Sequence, residues 1–96
     1  MKRRKLVWTE RAEADLLGIG NFISRDDPVA ARRWVGELMA TARVAARTPF
    51  GGRRVPELQR DDVREVFLQQ YRIAYRVTER QFEVLTVFEG HKRLDL

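Results

Sequence analysis

Residues 63–90 read VREVFLQQYRIAYRVTERQFEVLTVFEG, and the spacing of their apolar side chains decides the fold. Three runs, VREVFL, YRIAYRV and FEVLTVF, are alternating or continuously apolar over strand-like lengths. Gln69-Gln70 separates the first two and Thr78-Glu79-Arg80-Gln81 the last two, which predicts an antiparallel meander. Neither connection carries the glycine or asparagine that tight hairpins prefer, so the register stays open. In the middle run Ile73, Tyr75 and Val77 share one face and Arg72, Ala74 and Arg76 the other, because successive side chains of a strand alternate. The first face should meet the remaining core, leaving the second for recognition.

Upstream of the meander the period is helical. Ala12, Leu16, Ile19 and Ile23 fall on one helical face, with Thr9 as N-cap and Glu10 and Glu13 in the first turn, so a helix should run from Glu10 to about Ser24. Gly18 and Gly20 weaken it by roughly 1 kcal/mol each relative to alanine. Asp27-Pro28 restarts a helix, since aspartate caps and proline is tolerated at the first helical position. Ala31, Trp34, Val35, Leu38, Ala42 and Ala45 then trace an apolar stripe that Thr48-Pro49 ends. So short a connection predicts an antiparallel helical hairpin. PFGGRRVPEL, residues 49–58, cannot continue either helix and reads as an ordered loop. KLVW, residues 5–8, reads as a first strand. The order is β-α-α-β-β-β: an α+β fold in which a helical hairpin packs an antiparallel sheet.

The 96 residues fit one small domain, 1–96, with a single core, and the 44% hydrophobic fraction is enough to fill it. Without cysteine there is no disulfide, thiolate or cysteine-based metal chemistry, and a single histidine argues against a histidine metal site. Neither a metal nor a cofactor is expected. Charged residues from Glu10 onward break the N-terminus too early for a signal-peptide core, and no later run reaches transmembrane length. A cytoplasmic protein with no membrane contact is therefore expected. The formal net charge of +5 predicts attraction to polyanions, either nucleic acid or an acidic protein segment.

Four groups of side chains invite a functional reading. Arg72 and Arg76 should project together and form a basic stripe with Arg64 on the neighbouring strand; alternatively they pair with Glu57, Glu65 and Glu83 to solvate an exposed face. His91, Lys92 and Arg93 follow the last strand. His91 is the one side chain whose ordinary pKa suits acid-base work near neutrality, and its plain alternative is a solvated residue in a basic tail. Arg53-Arg54 beside Gly51-Gly52 could admit a phosphate or carboxylate, and the Lys2-Arg3-Arg4-Lys5 run is either a solvated tail or a steering element for DNA. Tyr71, Tyr75 and Trp34 read as core, and Trp8 as the junction of helix and sheet.

The ordered set VWTERAEADLLGIGNFI, DDPVAARRWV, PFGGRRVPEL, VREVF, YRIAYRV and VLTVFEGHKR resembles the ParE/RelE toxin superfamily of type II toxin-antitoxin systems over nearly the whole chain. It is most similar to the ParE branch through Ala14-Asp15-Leu16, Pro28 with Ala30-Ala31, Gly52-Arg53, Pro56-Glu57-Leu58, Val63-Arg64-Glu65 and the run from Tyr71 to Val77. The ParE resemblance implies a growth inhibitor that poisons DNA gyrase by protein contact, without catalysis. Arg72, Arg76, His91, Lys92 and Arg93 would then meet the target. The RelE branch implies instead a ribosome-dependent mRNA endonuclease, for which Arg64, Arg72, His91 and Arg93 are the matching residues. That branch's C-terminal tyrosine is missing here, where the sequence runs on through Leu94, Asp95 and Leu96. A third reading is a non-toxic member that survives as a binding module. All three imply a hetero-oligomer with a ParD-like antitoxin, which would lie over Leu17, Ile19, Phe22, Trp34 and Leu38 and would alone bring the toxin to operator DNA.

Overall fold

The computed structural model describes residues 3–94, so Lys2 of the basic run and the terminal Asp95 and Leu96 lie outside the described residues. Along the chain come β1 (Lys5–Trp8), α1 (Glu10–Ser24), α2 (Pro28–Arg47), a 3-10 turn (Pro49–Gly51), β2 (Arg53–Arg54), β3 (Val63–Leu68), β4 (Tyr71–Val77) and β5 (Gln81–Glu89). They form one five-stranded sheet in the order β1-β5-β4-β3-β2, with the helical hairpin against one face. The α+β architecture is the one expected, with two differences. The first strand pairs with the last in parallel, so the sheet is mixed; a parallel partner needs a long crossover, and the helical hairpin and the three strands after it supply one. The loop also contributes a two-residue edge strand, β2, antiparallel to β3.

Local chemistry accounts for the elements. Thr9 caps α1 by accepting from the Ala12 N–H (3.1 Å), and Asp27 caps α2 by accepting from Val29 and Ala30 (both 3.1 Å). Gln69-Gln70 forms a two-residue turn with Leu68 facing Tyr71, and Gln69 takes the left-handed conformation at φ 52° in the place where glycine or asparagine would ordinarily serve. The main core lies between helices and sheet, where Ala12, Leu16, Leu38, Ala42 and Ala45 meet Ile73, Tyr75, Val77, Phe82, Val84 and Val87. A β-bulge sits in β5: Ala74 pairs with Thr86 but Tyr75 with Val84, leaving Leu85 as the extra residue. Helix α1 ties itself to that bulge. The Thr9 hydroxyl donates to the Val84 and Leu85 carbonyls, and the Asp15 carboxylate accepts from Thr86 Oγ1 and the Val87 N–H.

The opposite face is not left open. Val55, Val63, Ala74 and Leu94 form a second cluster there, with Leu85 and Phe88 packed against it. The register also corrects the expected basic stripe. Arg64 lies opposite Tyr75 and Glu65 opposite Ala74, so Glu65, not Arg64, shares a face with Arg72 and Arg76.

Two glycines predict opposite outcomes on substitution. A Cβ at Gly52 would stand 2.3 Å from the Tyr75 hydroxyl and 2.8 Å from the Glu65 carbonyl, both fixed, whereas a Cβ at Gly18 meets nothing within 4 Å. Gly52→Ala is expected to destabilise by roughly 1–3 kcal/mol through overpacking, and Gly18→Ala to stabilise by up to about 1 kcal/mol through helix propensity. Urea unfolding of the two variants checks both signs, and a neutral Gly52→Ala would contradict the packing described.

Candidate functional site

The far face of the sheet carries a charge quartet built around a buried carboxylate. The Glu65 side chain has no exposure to solvent, and its carboxylate accepts from Arg53 Nε and from Arg72 Nε (2.8 Å) and Nη2. Arg72, only 6% exposed in its side chain, reaches on to Glu57, donating from Nη2 to Oε1 (3.0 Å) and from Nη1 to Oε2 (3.2 Å). Two guanidiniums and two carboxylates balance. Register places Phe67 and Phe88 on either side of Arg72 along the hydrogen-bonding direction. The Arg72 guanidinium lies 4.8 Å from the centre of the Phe88 ring, and that of Arg53 lies 5.1 Å from the centre of Phe67. Burial works against the Arg72 charge, but the hydrogen bonds to Glu57 and Glu65 outweigh it and hold its pKa above the usual value. The Arg72 hydrogen bond, followed by that from the Leu94 N–H, lowers the Glu57 carboxyl from 4.5 to about 2.

This quartet holds the segment that follows β5. The Leu94 N–H donates to Glu57 Oε2 (3.0 Å), Arg72 Nη1 donates to the Lys92 carbonyl (3.4 Å), and the Leu94 side chain is buried in the second cluster. His91, Lys92 and Arg93 are thereby stretched between an anchored strand end and an anchored leucine, and all three are exposed. The His91 side chain is 71% exposed, its Nδ1 lying 3.6 Å from Glu89 Oε2. Sequence reading found this cluster but missed its anchor. The signal was Leu94, a lone apolar residue directly after three basic ones.

Other expected site residues fall in different places. Arg72 cannot meet a partner as read, because its guanidinium is spent on Glu57 and Glu65; it positions the cluster from beneath. Removing one member of such a buried pair costs about 3–5 kcal/mol, so Arg72→Ala would report on stability before it reported on function. Arg76 does face outward and pairs with Glu83 at 2.8 Å. Arg64 lies on the face away from Arg72, donating to the carbonyls of Asp61 and Gly52 (both 3.0 Å), so Arg64, Arg72, His91 and Arg93 do not gather on one surface. Tyr75 donates to the Pro49 carbonyl (2.6 Å), and burial raises the pKa of both Tyr71 and Tyr75, so neither is poised to accept a proton. Among the described residues no cluster of His, Cys, Asp or Glu could hold a metal ion, and no helix is long and apolar enough to cross a membrane.

Of the expected antitoxin surface, Leu38 is fully buried and offers nothing to a partner. It fills the core because α2 turns that side of its stripe onto the sheet. Trp34 is half-buried, its ring edge-on to Tyr71 at 5.6 Å. Leu17 and Phe22, 66% and 68% exposed, remain open on α1, with Ile19 half-buried between them. Ile19 and Phe22 line a groove of about 410 Å³ whose other walls include Tyr71, Phe88 and Lys92.

The anchor predicts a pH signature. Because the folded-state pKa of Glu57 is depressed, its stabilising contribution is complete above about pH 4.5 and is lost as pH falls towards 2. Glu57→Gln should lower the urea midpoint at neutral pH, and the gap from the unsubstituted protein should close over that acid window. Hydrogen exchange at the Leu94 amide should accelerate in the variant at neutral pH. A gap that stays constant with pH would show that Glu57 is not the group holding the tail.

Comparison with known proteins bears on the whole arrangement. The family model described as "ParE toxin of type II toxin-antitoxin system, parDE" matches residues 6–94, a span that takes in the sheet, the quartet and the exposed cluster. A Sinorhizobium fredii protein named "Putative toxin Y4kP" is 36% identical over 97 residues, covering 97% of this chain and 95% of its own. The solved structure described as "Chromosomal ParDE TA system from P. aeruginosa" superposes with a TM-score of 0.76 at 21% identity, covering 91% of this chain and 96% of that one, and so shares the fold. With a family match over nearly its full length and a relative 36% identical over almost all of both chains, the chain belongs to the ParE toxin family of type II toxin-antitoxin systems.

Proposed function

We propose that this ParE-family chain arrests growth by gripping DNA gyrase through the exposed His91-Lys92-Arg93 cluster, without chemistry of its own, and that a ParD-like antitoxin neutralises it. The observation that carries this reading is the anchoring of Lys92 and Leu94 by Arg72 and Glu57. A backbone already fixed beneath three basic side chains has little further freedom of its own to lose on docking, which favours protein contact. Arg76, half-exposed on the same face as Arg72 and paired with Glu83, extends the surface.

RNA cleavage would call for a base, an acid and cations converging on one phosphate. Arg72 is occupied by two carboxylates and Arg64 lies across the sheet, which supports binding over catalysis. The site of action would be the cytoplasm, with operator DNA contacted by the antitoxin half of a hetero-oligomer.

The groove along α1 supports a simple mode of neutralisation. An antitoxin segment laid over Ile19 and Phe22, and reaching Leu17 beyond the groove, would bury exposed apolar surface and at the same time cover Lys92, which lines the groove with Ile19 and Phe22. Inhibitor and target would then compete for adjoining ground. The fold relative described as a ParDE system fits such a pairing.

Two measurements test the proposal. Pulse labelling after induced expression should show DNA synthesis failing before protein synthesis, and purified protein should raise gyrase cleavage complexes in vitro. Lys92→Ala with Arg93→Ala, two exposed positions, should reduce that activity at least about tenfold with an unchanged urea midpoint. Early arrest of translation instead would redirect the target to the ribosome. Separately, Phe22→Glu should leave growth arrest intact while abolishing rescue by a co-expressed cognate antitoxin; rescue that survives would move the antitoxin elsewhere.

A further inference from the structure

On the side of the fold where β1 enters the sheet, the chain brings together arginines that are far apart in sequence. Arg3 and Arg4 precede β1, Arg43 and Arg47 lie one turn apart near the end of α2, and together with Leu6, Ala46 and Pro49 they line a groove of about 670 Å³. No carboxylate lines it, and among the described residues none of the four makes an ion pair. Arg47 in the last turn offsets the helix's own C-terminal partial charge. Arg3 and Arg43 have no such role, so the folded chain concentrates positive charge there without balancing it.

A second observation stands beside the charge. Phe50 is 54% exposed, and its ring has Arg4 at 5.8 Å and Arg64 at 5.2 Å from its centre. Both arginines are fixed: Arg4 donates from Nε to the Thr78 carbonyl (2.7 Å), and Arg64 to the carbonyls of Asp61 and Gly52. An exposed aromatic framed by two immobilised guanidiniums extends a cationic groove with a flat apolar surface. That pairing of a charged track and a stacking platform is what single-stranded nucleic acid engages. An acidic peptide would use the arginines but not the ring. Arg43 and Arg47, about 6 Å apart along the helix axis, also match the scale of neighbouring phosphates on one strand.

We propose that this groove binds the phosphodiester backbone of a single nucleic-acid strand, with Arg3, Arg4, Arg43 and Arg47 on phosphates and Phe50 against a base. The contact is made by the toxin itself, in addition to any DNA reached through an antitoxin, and it does not depend on gyrase being the target.

Fluorescence anisotropy of the full chain with a labelled 12-nucleotide DNA strand, its duplex and a polyglutamate competitor tests this directly. The strand should bind more tightly than the duplex, with log affinity falling on log salt at a slope of roughly −2.8, about 0.7 for each of four phosphates. Arg43→Ala with Arg47→Ala, at exposed helical positions where alanine favours the helix, should weaken binding about tenfold or more and halve the slope. Arg43→Glu, at an exposed position without that dipole role, should weaken binding with the urea midpoint unchanged. Phe50→Ala should weaken the strand without changing the slope, and Lys92→Ala with Arg93→Ala should change nothing. The proposal is overturned by unchanged binding in the folded Arg43 and Arg47 variants, by duplex preferred over strand, by loss of binding in the Lys92 and Arg93 variant, or by polyglutamate displacing the strand at lower charge concentration than unlabelled strand does.

Discussion

A carboxylate with no access to water, set in the middle strands of a sheet, is stable only if its charge is met in place. Glu65 is that carboxylate, and much of the molecule is arranged to meet it. Arg72 comes from the neighbouring strand and Arg53 from the two-residue edge strand that the loop contributes. Arg72 brings a second carboxylate, Glu57, to complete its own hydrogen bonding. The loop from Gly52 to Asp62 is ordered for this reason: it delivers Arg53 and Glu57 to fixed points and seats Val55 beside Val63 and Ala74. Gly52 is part of the same constraint, since only a residue without a side chain lets the loop pass between the Tyr75 hydroxyl and the Glu65 carbonyl.

The helical side of the molecule is joined to the sheet by a comparable economy. Thr9 caps α1 and bonds the bulge carbonyls with one hydroxyl, while Asp15, two turns along, takes the Thr86 hydroxyl and the Val87 N–H. The bulge would otherwise leave polar backbone facing a hydrophobic layer. It is therefore the place where the orientation of α1, and with it the position of Phe22 relative to Lys92, is set.

How far the sequence reveals all this depends on the range of the signal. The helices were legible to within a residue at their starts, because Thr9 and Asp27 are local caps and the stripes from Ala12 and Ala31 have the helical period. The three meander strands were legible from period two. What the sequence withheld was parity between strands. Whether Arg64 or Glu65 shares a face with Arg72 turns on a one-residue offset set by the Gln69-Gln70 turn, which carries no diagnostic residue. The parallel placement of β1 was hidden for a related reason, since nothing within KLVW says which edge it joins. Arg72 lies on the face expected and pairs with Glu57 and Glu65, one of the two alternatives the sequence left open; its burial was not legible, because a strand arginine looks the same in sequence whether it faces water or a buried glutamate. The mutual approach of Arg3, Arg4, Arg43 and Arg47 likewise exists only after folding.

The charge balance of the quartet separates two properties that usually travel together. Its four charges cancel, so they add little to the field outside the protein, and its buried centre, Glu65 with Arg72, is little affected by dissolved ions even though Arg53 reaches solvent. The net charge of +5 is therefore expressed at the surface, where salt screens it. For a cluster such as His91-Lys92-Arg93, ionic strength should govern how often a partner arrives, whereas the geometry it finds on arrival is set by groups that salt does not reach. Association kinetics and docked lifetime are in this way placed under the control of different residues, and selection can tune one while leaving the other in place.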